Sequence, residues 1–559
     1  MSEAKEADGV HAVYCAQDLV EAGLKNNMRY GIVRMRDGRR TPRPPRPVLA
    51  EDVVRFAGEP VAVVIADTAV QAKDAAELIE FDYEDLPVHL GLGTGGYAMH
   101  EEAPENVAFD WAAGEGDAID AAFADAAHVV SMQLDDNRVI ANSMEPRGCY
   151  AEWSDNRLHL AINGQSVWVI LDELVYNLGL DRSAVRVTTP DVGGGFGMKG
   201  CIYPENLAVA QAARMLGRTV HWMGTRSDAM LNDNGGRDLT SVAEAAFDED
   251  FRILAYRVGT VANMGAYISP YAQFIQTELF QKVVTGVYDI PHTLQEVVGV
   301  FTNTAPVDAY RGAGRPEGIY VIERFMDRAA RELGIDSLEL RRRNFIKPNQ
   351  FPYRNFANET VDVGDFDKVL SRAEEEADLA GFDRRRRESE AEGRLRGLGV
   401  CYYIETILGD PNETTRIEFA KDGFANMYVG TQSNGQGHET AYAQILHERS
   451  GIPFERIRCI QGDSDLIRTG GGTGGSRSVT TQGTSIRGTA DKVIAKLSPF
   501  VADLLDASDH EVLFEEGTFR VANSNKYMDI MEAASAALAA GRNDLVSTEV
   551  ETEIDDKSF

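Results

Sequence analysis

Four glycine-rich runs limit how this chain can fold more than any other feature of its sequence. Three lead directly into predicted helices, and the first does so after a few residues. Glycine lets the backbone approach a ligand closely, and free amides at a helix start favour anions. One such run is more often an ordinary turn, but four favour a large phosphate-bearing ligand threaded between segments. The runs are Gly193-Gly194-Gly195-Phe196-Gly197, Arg311-Gly312-Ala313-Gly314-Arg315, Gly430 to Gly437, and Gly470 to Gly475.

The length of 559 residues predicts three or four folding units, at about 100–200 residues per unit. The pattern indicates an α/β segment over 1–91, an acidic linker over 92–125 and a larger segment over 126–350. A charged connector over 351–396 and a last segment over 397–559 follow. Strands are predicted at 53–56, 61–65, 80–83, 158–162, 185–189 and 549–553, and helices at 69–79, 166–178, 204–216 and 316–333.

Charge and cysteine content exclude several classes of protein. The net charge is −32, which disfavours nucleic acid and anionic membranes as partners. The 56 basic residues include only 12 lysines, a balance typical of proteins from salt-loving organisms, with an ordinary acidic protein as the alternative. The five cysteines form no Cys-x-x-Cys pair, so iron–sulfur or zinc ligation is not indicated and a reducing, cytoplasmic location is expected. The acidic start lacks the apolar core of a signal peptide.

Polar residues beside the glycines suggest a site. Gln165 lies between a predicted strand and helix, Arg311 precedes Gly312, and Gln436 precedes Gly437. Arginine can clamp an anionic or carbonyl oxygen, and a glutamine amide can orient an oxo group. Each residue taken alone is more often a turn-stabilising group.

Other titratable residues give weaker signals. Glu145 and Glu205 are candidates for acid/base groups, although structural or helix-first-turn roles are the commoner alternative. His438 and His447 are too isolated to indicate a metal site, and helix-capping or surface positions are expected. The sequence has no G-x-S-x-G and no H-E-x-x-H motif, so hydrolase chemistry has no motif support.

The residues from Gly195 to Gly200 also fit the G-x-G-x-x-G pattern of dinucleotide-binding proteins. The predicted helix starts late, near Pro204, so these glycines are not expected at its first turn. No clean second strand ending in an acid follows, and Asp228 is the nearest candidate. A nicotinamide-dependent dehydrogenase therefore stays an alternative interpretation.

Taken together, the motifs resemble those of the molybdenum-binding large subunit of the xanthine dehydrogenase/aldehyde oxidase family, and most closely its aerobic carbon monoxide dehydrogenase type. Their order and spacing are similar across nearly the whole chain. The motifs that carry the resemblance are Phe56-Ala-Gly-Glu-Pro-Val-Ala-Val-Val64, Met144-Glu-Pro146, Gln165, Gly193-Gly-Gly-Phe-Gly-Met-Lys199, Ala309-Tyr-Arg-Gly-Ala-Gly-Arg-Pro316, Gly435-Gln-Gly437 and Gly472-Thr-Gly-Gly-Ser-Arg477.

The resemblance implies a fold and a cofactor. A partial α/β hammerhead domain would be followed by two α+β molybdopterin-binding domains, the last incomplete. The cofactor would be molybdenum held by a molybdopterin, expected as the cytosine dinucleotide, with no iron–sulfur cluster or FAD in this chain. Electrons would leave through an iron–sulfur subunit and an FAD subunit on separate chains. The substrate would be an aldehyde or an N-heterocycle, with water as the oxygen source.

Site roles also follow from the resemblance. Gln165 would bind an oxo ligand of the metal, and Arg311 would face the substrate. The backbone around Phe196 would lie beside the molybdenum, so Gln165, Phe196 and Arg311 are the expected catalytic residues. The residues expected to contact the cofactor are Gln165, Gly194, Gly195, Phe196, Gly197, Arg311, Gln436, Gly437, Gly474, Gly475, Ser476 and Arg477.

The sequence departs from the family pattern in three ways. Copper-containing carbon monoxide dehydrogenases carry cysteine where this chain has Gly312, and a thiolate is needed to hold copper. Xanthine-oxidising members have a glutamate where this chain has Gly200, which argues against purines. The terminal strands and the Gly-Val-Gly-Glu motif with the general-base glutamate have no counterpart here. A second chain supplying that part, a split gene or a fragment are the expectations, and an inactive remnant that serves in assembly is a further alternative.

Overall fold

The computed structural model describes residues 1–407 and 411–554. Its first unit is small, and an antiparallel pair of strands lies against three helices. Helix α3 is capped by Thr68, whose hydroxyl accepts from Gln71 N. The elements are α1 (Ser2–Glu6), β1 (Val10–Cys15), α2 (Ala16–Glu21), β2 (Ala62–Ala66) and α3 (Ala69–Glu77).

The second unit contains two sheets with helices packed on them. A five-stranded sheet has the order β3-β11-β10-β9-β4 and a four-stranded sheet the order β7-β6-β5-β8. The elements are β3 (Val107–Gly114), α4 (Gly116–Ala124), β4 (His128–Asp136), β5 (Gly148–Ser154), β6 (Arg157–Ile162), α5 (Val167–Leu178), β7 (Val185–Thr188), α6 (Pro204–Leu216), β8 (Val220–Met223), α7 (Arg226–Asn232), β9 (Leu239–Phe247), β10 (Ile253–Gly265), α8 (Ala272–Phe274), β11 (His292–Phe301), α9 (Arg315–Leu333) and α10 (Ser337–Asn344).

The last unit follows a charged helical segment. Its main sheet has the order β16-β15-β14-β20, and a three-stranded sheet has the order β17-β18-β19. The elements are β12 (Tyr353–Arg354), β13 (Thr360–Val361), α11 (Phe366–Glu376), α12 (Phe382–Ala391), β14 (Asn412–Phe419), β15 (Ala425–Val429), α13 (His438–Ser450), β16 (Ile457–Ile460), α14 (Gly483–Leu504), β17 (Val512–Glu515), β18 (Thr518–Val521), β19 (Tyr527–Asp529), α15 (Ile530–Ala539), α16 (Asn543–Val546) and β20 (Ser547–Glu553).

Capping residues, proline and glycine mark the ends of helices α5 and α6. The Ser166 hydroxyl accepts from Val169 N at the start of α5, which ends at Gly179 in the left-handed conformation. Helix α6 has proline at its first position and ends at Gly217 with φ of 59°. These boundaries confirm the sequence predictions for α5 and α6, because proline and glycine act through the backbone alone.

Several other predictions were wrong. Residues 107–124, inside the predicted linker, form β3 and α4, and β3 pairs with β11 in the five-stranded sheet. Alanine-rich composition hid the strand, whose apolar residues pack into a core. Residues 53–56 and 80–83 form no strand. By contrast, the charged stretch over 372–396, which the sequence favours as a solvated helix or a linker, contains the end of α11 and all of α12. Its arginines pair with acids four residues away, so the helix interpretation is confirmed.

Three hydrophobic cores support the units. One joins Leu19 and Val48 of the first unit to the four-stranded sheet and α5, so the first unit is fixed on the second. Another lies between the five-stranded sheet and α9, and a third fills the last unit around α14. The glycine-rich runs lie where the second and last units meet. Within the described residues, no helix is long and apolar enough to cross a membrane.

Candidate functional site

Gln165 joins two of the glycine-rich runs. Its side chain is buried between the end of β6 and the start of α5. The amide oxygen accepts a hydrogen bond from Gly197 N at 2.8 Å, and the amide nitrogen donates to Thr473 O at 2.8 Å. Thr473 N donates in turn to Gln165 O at 2.8 Å. One residue thus ties the first run to the fourth, although 308 positions of sequence separate Gln165 from Thr473.

The third run reaches the same place through Gln432. Its Nε2 donates to Gly164 O at 2.7 Å. Thr473 Oγ1 donates to Gln432 O at 2.6 Å, and Gln432 N donates to Thr473 Oγ1 at 3.1 Å. Gly430 lies so close to Gly470 that a Cβ on Gly430 would be 2.7 Å from the neighbouring Cα. The third and fourth runs therefore pack directly against each other.

The second run lies against the first run and is linked to the fourth. A Cβ on Gly197 would lie 2.7 Å from Ala309 O, so the backbone of the first run abuts the segment that leads into the second run. Arg315 Nε donates to Glu405 Oε1 at 2.9 Å, and Ser476 Oγ donates to the same oxygen at 3.4 Å. Glu405 thereby links the second run to the fourth. The structure brings all four runs into one region, between two units of the chain.

Phe196 is held at the tip of the first run in a rare conformation. Its φ is 55°, and the flanking Gly194 and Gly197 have φ of 97° and 96°. A bulky residue with positive φ is an outlier that its surroundings must enforce. Gly195 has no room for a side chain, because a Cβ would lie 2.4 Å from Gln165 Oε1. The Phe196 side chain is left 43% exposed.

Glu145 and Lys199 close the base of this loop. Glu145 Oε2 accepts from Gly193 N at 2.8 Å and from Lys199 Nζ at 3.0 Å. Lys199 is buried, and desolvation lowers the pKa of its ammonium while the Glu145 carboxylate opposes that shift. Both ends of the loop are tied to one carboxylate, so Glu145 anchors Phe196, which is the structural role that the sequence left open.

Glu205 is also part of a structural network. It pairs with the buried Arg147, which pairs with Asp233 at 2.7 Å as well. The Arg147 guanidinium lies 3.7 Å from the centroid of the Tyr203 ring. Glu205 sits in the first turn of α6, where a carboxylate is favoured by the helix dipole. This arrangement matches the structural alternative for Glu205.

Arg477 is buried behind the fourth run. Its Nη1 donates to Glu413 Oε2 at 2.7 Å and to Gly472 O at 3.0 Å, and its Nη2 donates to Asn412 O at 2.7 Å. Burial raises the pKa of the Glu413 carboxyl, and Arg477 opposes that rise. The guanidinium therefore braces the run from inside. The family resemblance implied a contact between Arg477 and a ligand, and this brace was missed.

The outer surface of the fourth run is formed by Gly474, Gly475 and Ser476. Gly475 and Ser476 have φ of 71° and 57°, and Gly474 and Ser476 are exposed. A Cβ on Gly474 would have no heavy atom within 4 Å. These residues present backbone to the space in front of the braced loop, as an anion-binding turn does.

Gln436 and His438 shape the third run where it enters α13. Gln436 Oε1 accepts from Asn434 N at 2.5 Å, and Gln436 Nε2 donates to His438 Nε2 at 3.1 Å. Gly437, with φ of 75°, precedes the helix. His438 is buried and stacked on Tyr442, and burial lowers the pKa of its imidazole to about 4. It is the first residue of α13, whose N-cap is Gly437 without a side-chain cap, so the expected helix-capping or surface position is wrong for His438.

Arg311 is exposed and has a fixed backbone. Within the described chain, its side chain makes no hydrogen bond or ion pair. Arg237 Nη2 donates to Arg311 O at 2.7 Å and Arg237 Nη1 donates to Tyr310 O at 3.3 Å. Arg237 is held in turn by Glu317, 3.4 Å away. The guanidinium of Arg311 is therefore available to a ligand, while its main chain is held in place.

The two glycines that depart from the family pattern differ sterically. Gly312 has φ of 100°, and a Cβ there would lie 2.2 Å from Pro316 Cγ. Gly200 has no positive φ, and a Cβ there would have no heavy atom within 4 Å. A side chain is thus excluded at position 312 by the present backbone and permitted at position 200.

The dinucleotide fingerprint from Gly195 to Gly200 lacks its structural context. In a βαβ nucleotide site the two flanking strands lie parallel in one sheet. Here β7 pairs with β6, whereas β8, the strand after α6, pairs antiparallel with β5 on the other side of the sheet. The glycines also precede α6 by several residues, as the sequence predicted.

A polar cleft of about 310 Å³ lies beside the third run. Thr189 Oγ1 and Gln432 Oε1 are buried near it and have no hydrogen-bond partner among the described residues. A buried polar atom left unpaired costs about 1–3 kcal/mol, so the cleft suits a polar ligand or bridging water. Its lining residues are Thr189, Pro190, Asp191, Gln432, Ser433, Cys459, Ile460 and Gln461.

Sequence reasoning missed Glu413, Glu405 and Thr473, which hold the runs together. A signal for Glu413 exists: it occupies the buried phase of β14, in step with Ile417 and Phe419. A carboxylate at such a position requires a buried cation. Glu405 and Thr473 carry no comparable signal, because their partners lie far away in the sequence.

Comparison with known proteins assigns all three units. The description "Molybdopterin cofactor-binding domain" matches residues 99–345 and, in a second form, 372–558. The description "Aldehyde oxidase and xanthine dehydrogenase, a/b hammerhead domain" matches residues 1–87. These matches confirm the predicted fold of a hammerhead domain followed by two molybdopterin-binding domains.

Relatives and solved structures agree. The chain is 33% identical over 540 residues to the nicotine 6-hydroxylase large subunit of Paenarthrobacter nicotinovorans, covering 92% of this chain and 64% of the relative. It is 31% identical to the carbon monoxide dehydrogenase large chain of Afipia carboxidovorans, covering 96% and 70%. Quinoline 2-oxidoreductase from Pseudomonas putida 86 has a TM-score of 0.89 at 30% identity, covering all of this chain and 73% of that structure. A structure of a Cu,Mo-CO dehydrogenase has a TM-score of 0.88 at 29% identity, and the match covers all of this chain and 74% of that structure.

The fold and the matched domains define a protein built from a hammerhead domain and two molybdopterin cofactor-binding domains. The chain belongs to the xanthine dehydrogenase/aldehyde oxidase family, as a molybdenum-binding large subunit. It spans a little under two thirds of the length of the first curated relatives it matches.

Proposed function

We propose that this chain is the cofactor-binding catalytic subunit of a molybdenum hydroxylase that oxidises an aldehyde or an N-heterocycle, with water as the oxygen source. The observation that carries the proposal is the meeting of four glycine-rich runs around the buried Gln165. Such a meeting place between two units suits a large ligand with a phosphate group.

The residues present fit a molybdopterin dinucleotide, proposed here as the cytosine form. Gly474, Gly475 and Ser476 would receive the pyrophosphate on exposed backbone. Gln436 and Gly437 lie on the third run, next to the polar cleft. The unpartnered Thr189 Oγ1 and Gln432 Oε1 offer acceptors to the polar nucleotide end.

At the other end, Gln165 and the first run would hold the metal-bearing part. Gln165 gives one amide N–H to Thr473 O, and the second remains to orient an oxo ligand. Gly194, Gly195, Phe196 and Gly197 would line this position, because the absence of a Cβ on Gly195 lets the Gln165 side chain pack directly against the loop. The bound cofactor supplies a redox centre that takes two electrons from the substrate.

Arg311 would bind and orient the substrate. Its planar guanidinium is exposed, and its backbone is fixed through Arg237 and Glu317. The adjacent N–H groups of a guanidinium lie in one plane and can donate to a carbonyl oxygen or a ring nitrogen. The partly exposed Phe196 ring would cover one side of a flat substrate and exclude water.

Two glycines restrict the substrate class. Position 312 has no space for the cysteine that would hold copper, which disfavours carbon monoxide. Gly200 supplies no carboxylate for a purine, although the structure has space for one. Aldehydes and N-heterocycles other than xanthine remain as substrates.

The proposal includes two partner chains, one with iron–sulfur clusters and one with FAD. All five cysteines of this chain are free, and the described residues contain no group of three or more ligands arranged for a metal. Electrons leaving the site would therefore pass to other chains. Free cysteines also suit a cytoplasmic location.

The test is turnover by the complex purified from its native host. Aromatic aldehydes, N-heterocycles, xanthine and carbon monoxide are offered in ¹⁸O-labelled water with an artificial electron acceptor. We expect ¹⁸O in the product of an aldehyde or N-heterocycle and no turnover of the other two. Turnover of carbon monoxide or xanthine, or product without ¹⁸O, would contradict the proposal.

A further inference from the structure

A basic groove lies along the middle of α9, beyond the first turns that follow the second glycine-rich run. It is formed by one flank of α9 and the outer edge of β4, the last strand of the five-stranded sheet. We call it the arginine groove, and its residues are Ser131, Met132, Gln133, Arg324, Arg328 and Arg331. None of them takes part in the site described above.

The groove brings three arginines together in a chain of net charge −32. All three are exposed. Arg328 pairs with Glu332 one turn further on, whereas Arg324 and Arg331 make no hydrogen bond or ion pair within the described residues. Arg384 and Arg386 on α12, by contrast, pair with acidic residues of their own helix. The arginine groove therefore carries positive charge that the chain itself does not neutralise.

The strand beside the arginines has an open edge. Strand β4 pairs with β9 on one side, and within the described residues no strand pairs with the other. Val130 and Leu134 point into the core under α9, whereas Ser131 and Gln133 are exposed. Alternate backbone N–H and C=O groups of such an edge strand face outwards and can bind another strand.

The spacing of the arginines on α9 can be compared with the spacing of side chains on a strand added along β4. Arg324 and Arg331 are seven residues apart on α9, about 10 Å at 1.5 Å per residue. Alternate residues of a strand are spaced about 6.8 Å apart. A strand added along β4 would thus bring two or three of its helix-facing side chains within reach of the arginines. Carboxylates at those positions would meet guanidinium groups.

We propose that the arginine groove binds an extended, acidic segment of a partner protein, which adds as a strand to the edge of β4. The open edge supplies backbone hydrogen bonds and the arginines select alternate acidic side chains. Nucleic acid would also meet the arginines, but it cannot pair with a strand edge, and the remaining surface of the chain repels it.

The test uses a labelled peptide, acetyl-(Glu-Val)₄-amide, and fluorescence anisotropy on the purified chain or complex. Replacing Arg324, Arg328 and Arg331 together by serine should weaken binding at least tenfold. Removing Arg384, Arg385 and Arg386 of α12 takes away the same charge elsewhere and should change binding less than twofold. An (Lys-Val)₄ peptide should bind at least tenfold more weakly.

Backbone pairing is tested on the peptide, so that the protein fold is not at risk. The (Glu-Val)₄ peptide is N-methylated at all four valines or at all four glutamates, and at least one of the two forms should lose tenfold in affinity. Undiminished binding of both forms, equal effects of the two arginine triples, no binding of the unmodified peptide, or tighter binding of a single-stranded oligonucleotide at the same salt would each overturn the proposal.

Discussion

Two arginines beside glycine-rich runs have opposite surroundings. Arg477 is buried and paired with Glu413 on β14, so its charge is neutralised inside the protein. Arg311 is exposed, and only its backbone is held. The same short pattern, an arginine next to glycines, therefore produces a brace at one place and an available donor at the other. The difference lies in whether a carboxylate occupies a buried position on the neighbouring strand.

The largest effect should come from breaking the brace. Arg477→Met leaves the Glu413 carboxylate buried without its cation, which costs about 3–5 kcal/mol. We expect a large fall in the thermal midpoint of the last unit and faster hydrogen exchange in residues 470–477. Arg311→Met is the matched control and should leave both unchanged. Equal loss in the two variants would contradict the distinction between brace and donor.

The second-largest effect is expected from low pH, which should destabilise the third run at His438. The pKa of His438 is about 4 in the folded protein, below its ordinary value of 6.5, so the unfolded chain binds the proton first as pH falls. The free energy of unfolding is therefore unaffected by the protonation of His438 above pH 6.5. Between pH 6.5 and pH 4 it falls by roughly 2–3 kcal/mol because of this one group. Protonation would also put a hydrogen on Nε2, where Gln436 Nε2 donates.

The measurement is thermal stability against pH for His438→Gln beside the native chain. The variant should lose less stability between pH 6.5 and 4, whereas the exposed His510→Gln should follow the native profile. Identical acid profiles for the His438 variant and the native chain would show that this histidine is not buried neutral.

A smaller effect is expected at Gly312. Alanine there would adopt a positive φ and place a Cβ against Pro316, at a cost of about 1–3 kcal/mol. Gly200→Ala is the matched control, since nothing lies near its Cβ, and it should cost less than about 0.5 kcal/mol. Thermal midpoints of the two variants provide the measurement. A stable Gly312→Cys variant would reopen the question of copper binding.

Arg311→Lys should have the smallest effect on stability and a clear effect on turnover. The charge remains but the planar fork is lost. We expect kcat/KM to fall about tenfold, equivalent to ~1.4 kcal/mol of transition-state binding, with molybdenum content unchanged. Loss of metal together with activity would mean that Arg311 is a structural residue.

The sequence predicted the parts of the fold that depend on local chemistry. Helices α5 and α6 were placed to within a residue because serine, proline and glycine mark their ends. The strand inside residues 92–125 was missed, because its pairing with β11 lies far along the chain. Resemblance to a family identified the runs, but not what holds them. Glu405 and Glu413 act across 71 and 64 residues, and no local pattern reveals that.

Molybdenum and cytidine monophosphate per chain, measured in protein purified from its native host, test the central claim most directly. The account predicts close to one molybdenum atom and one acid-released nucleotide per chain. It also predicts loss of both in Gly195→Val, whose side chain would occupy the space beside Gln165. Absence of both from the native protein, in a host whose other molybdenum enzymes are loaded, would contradict it.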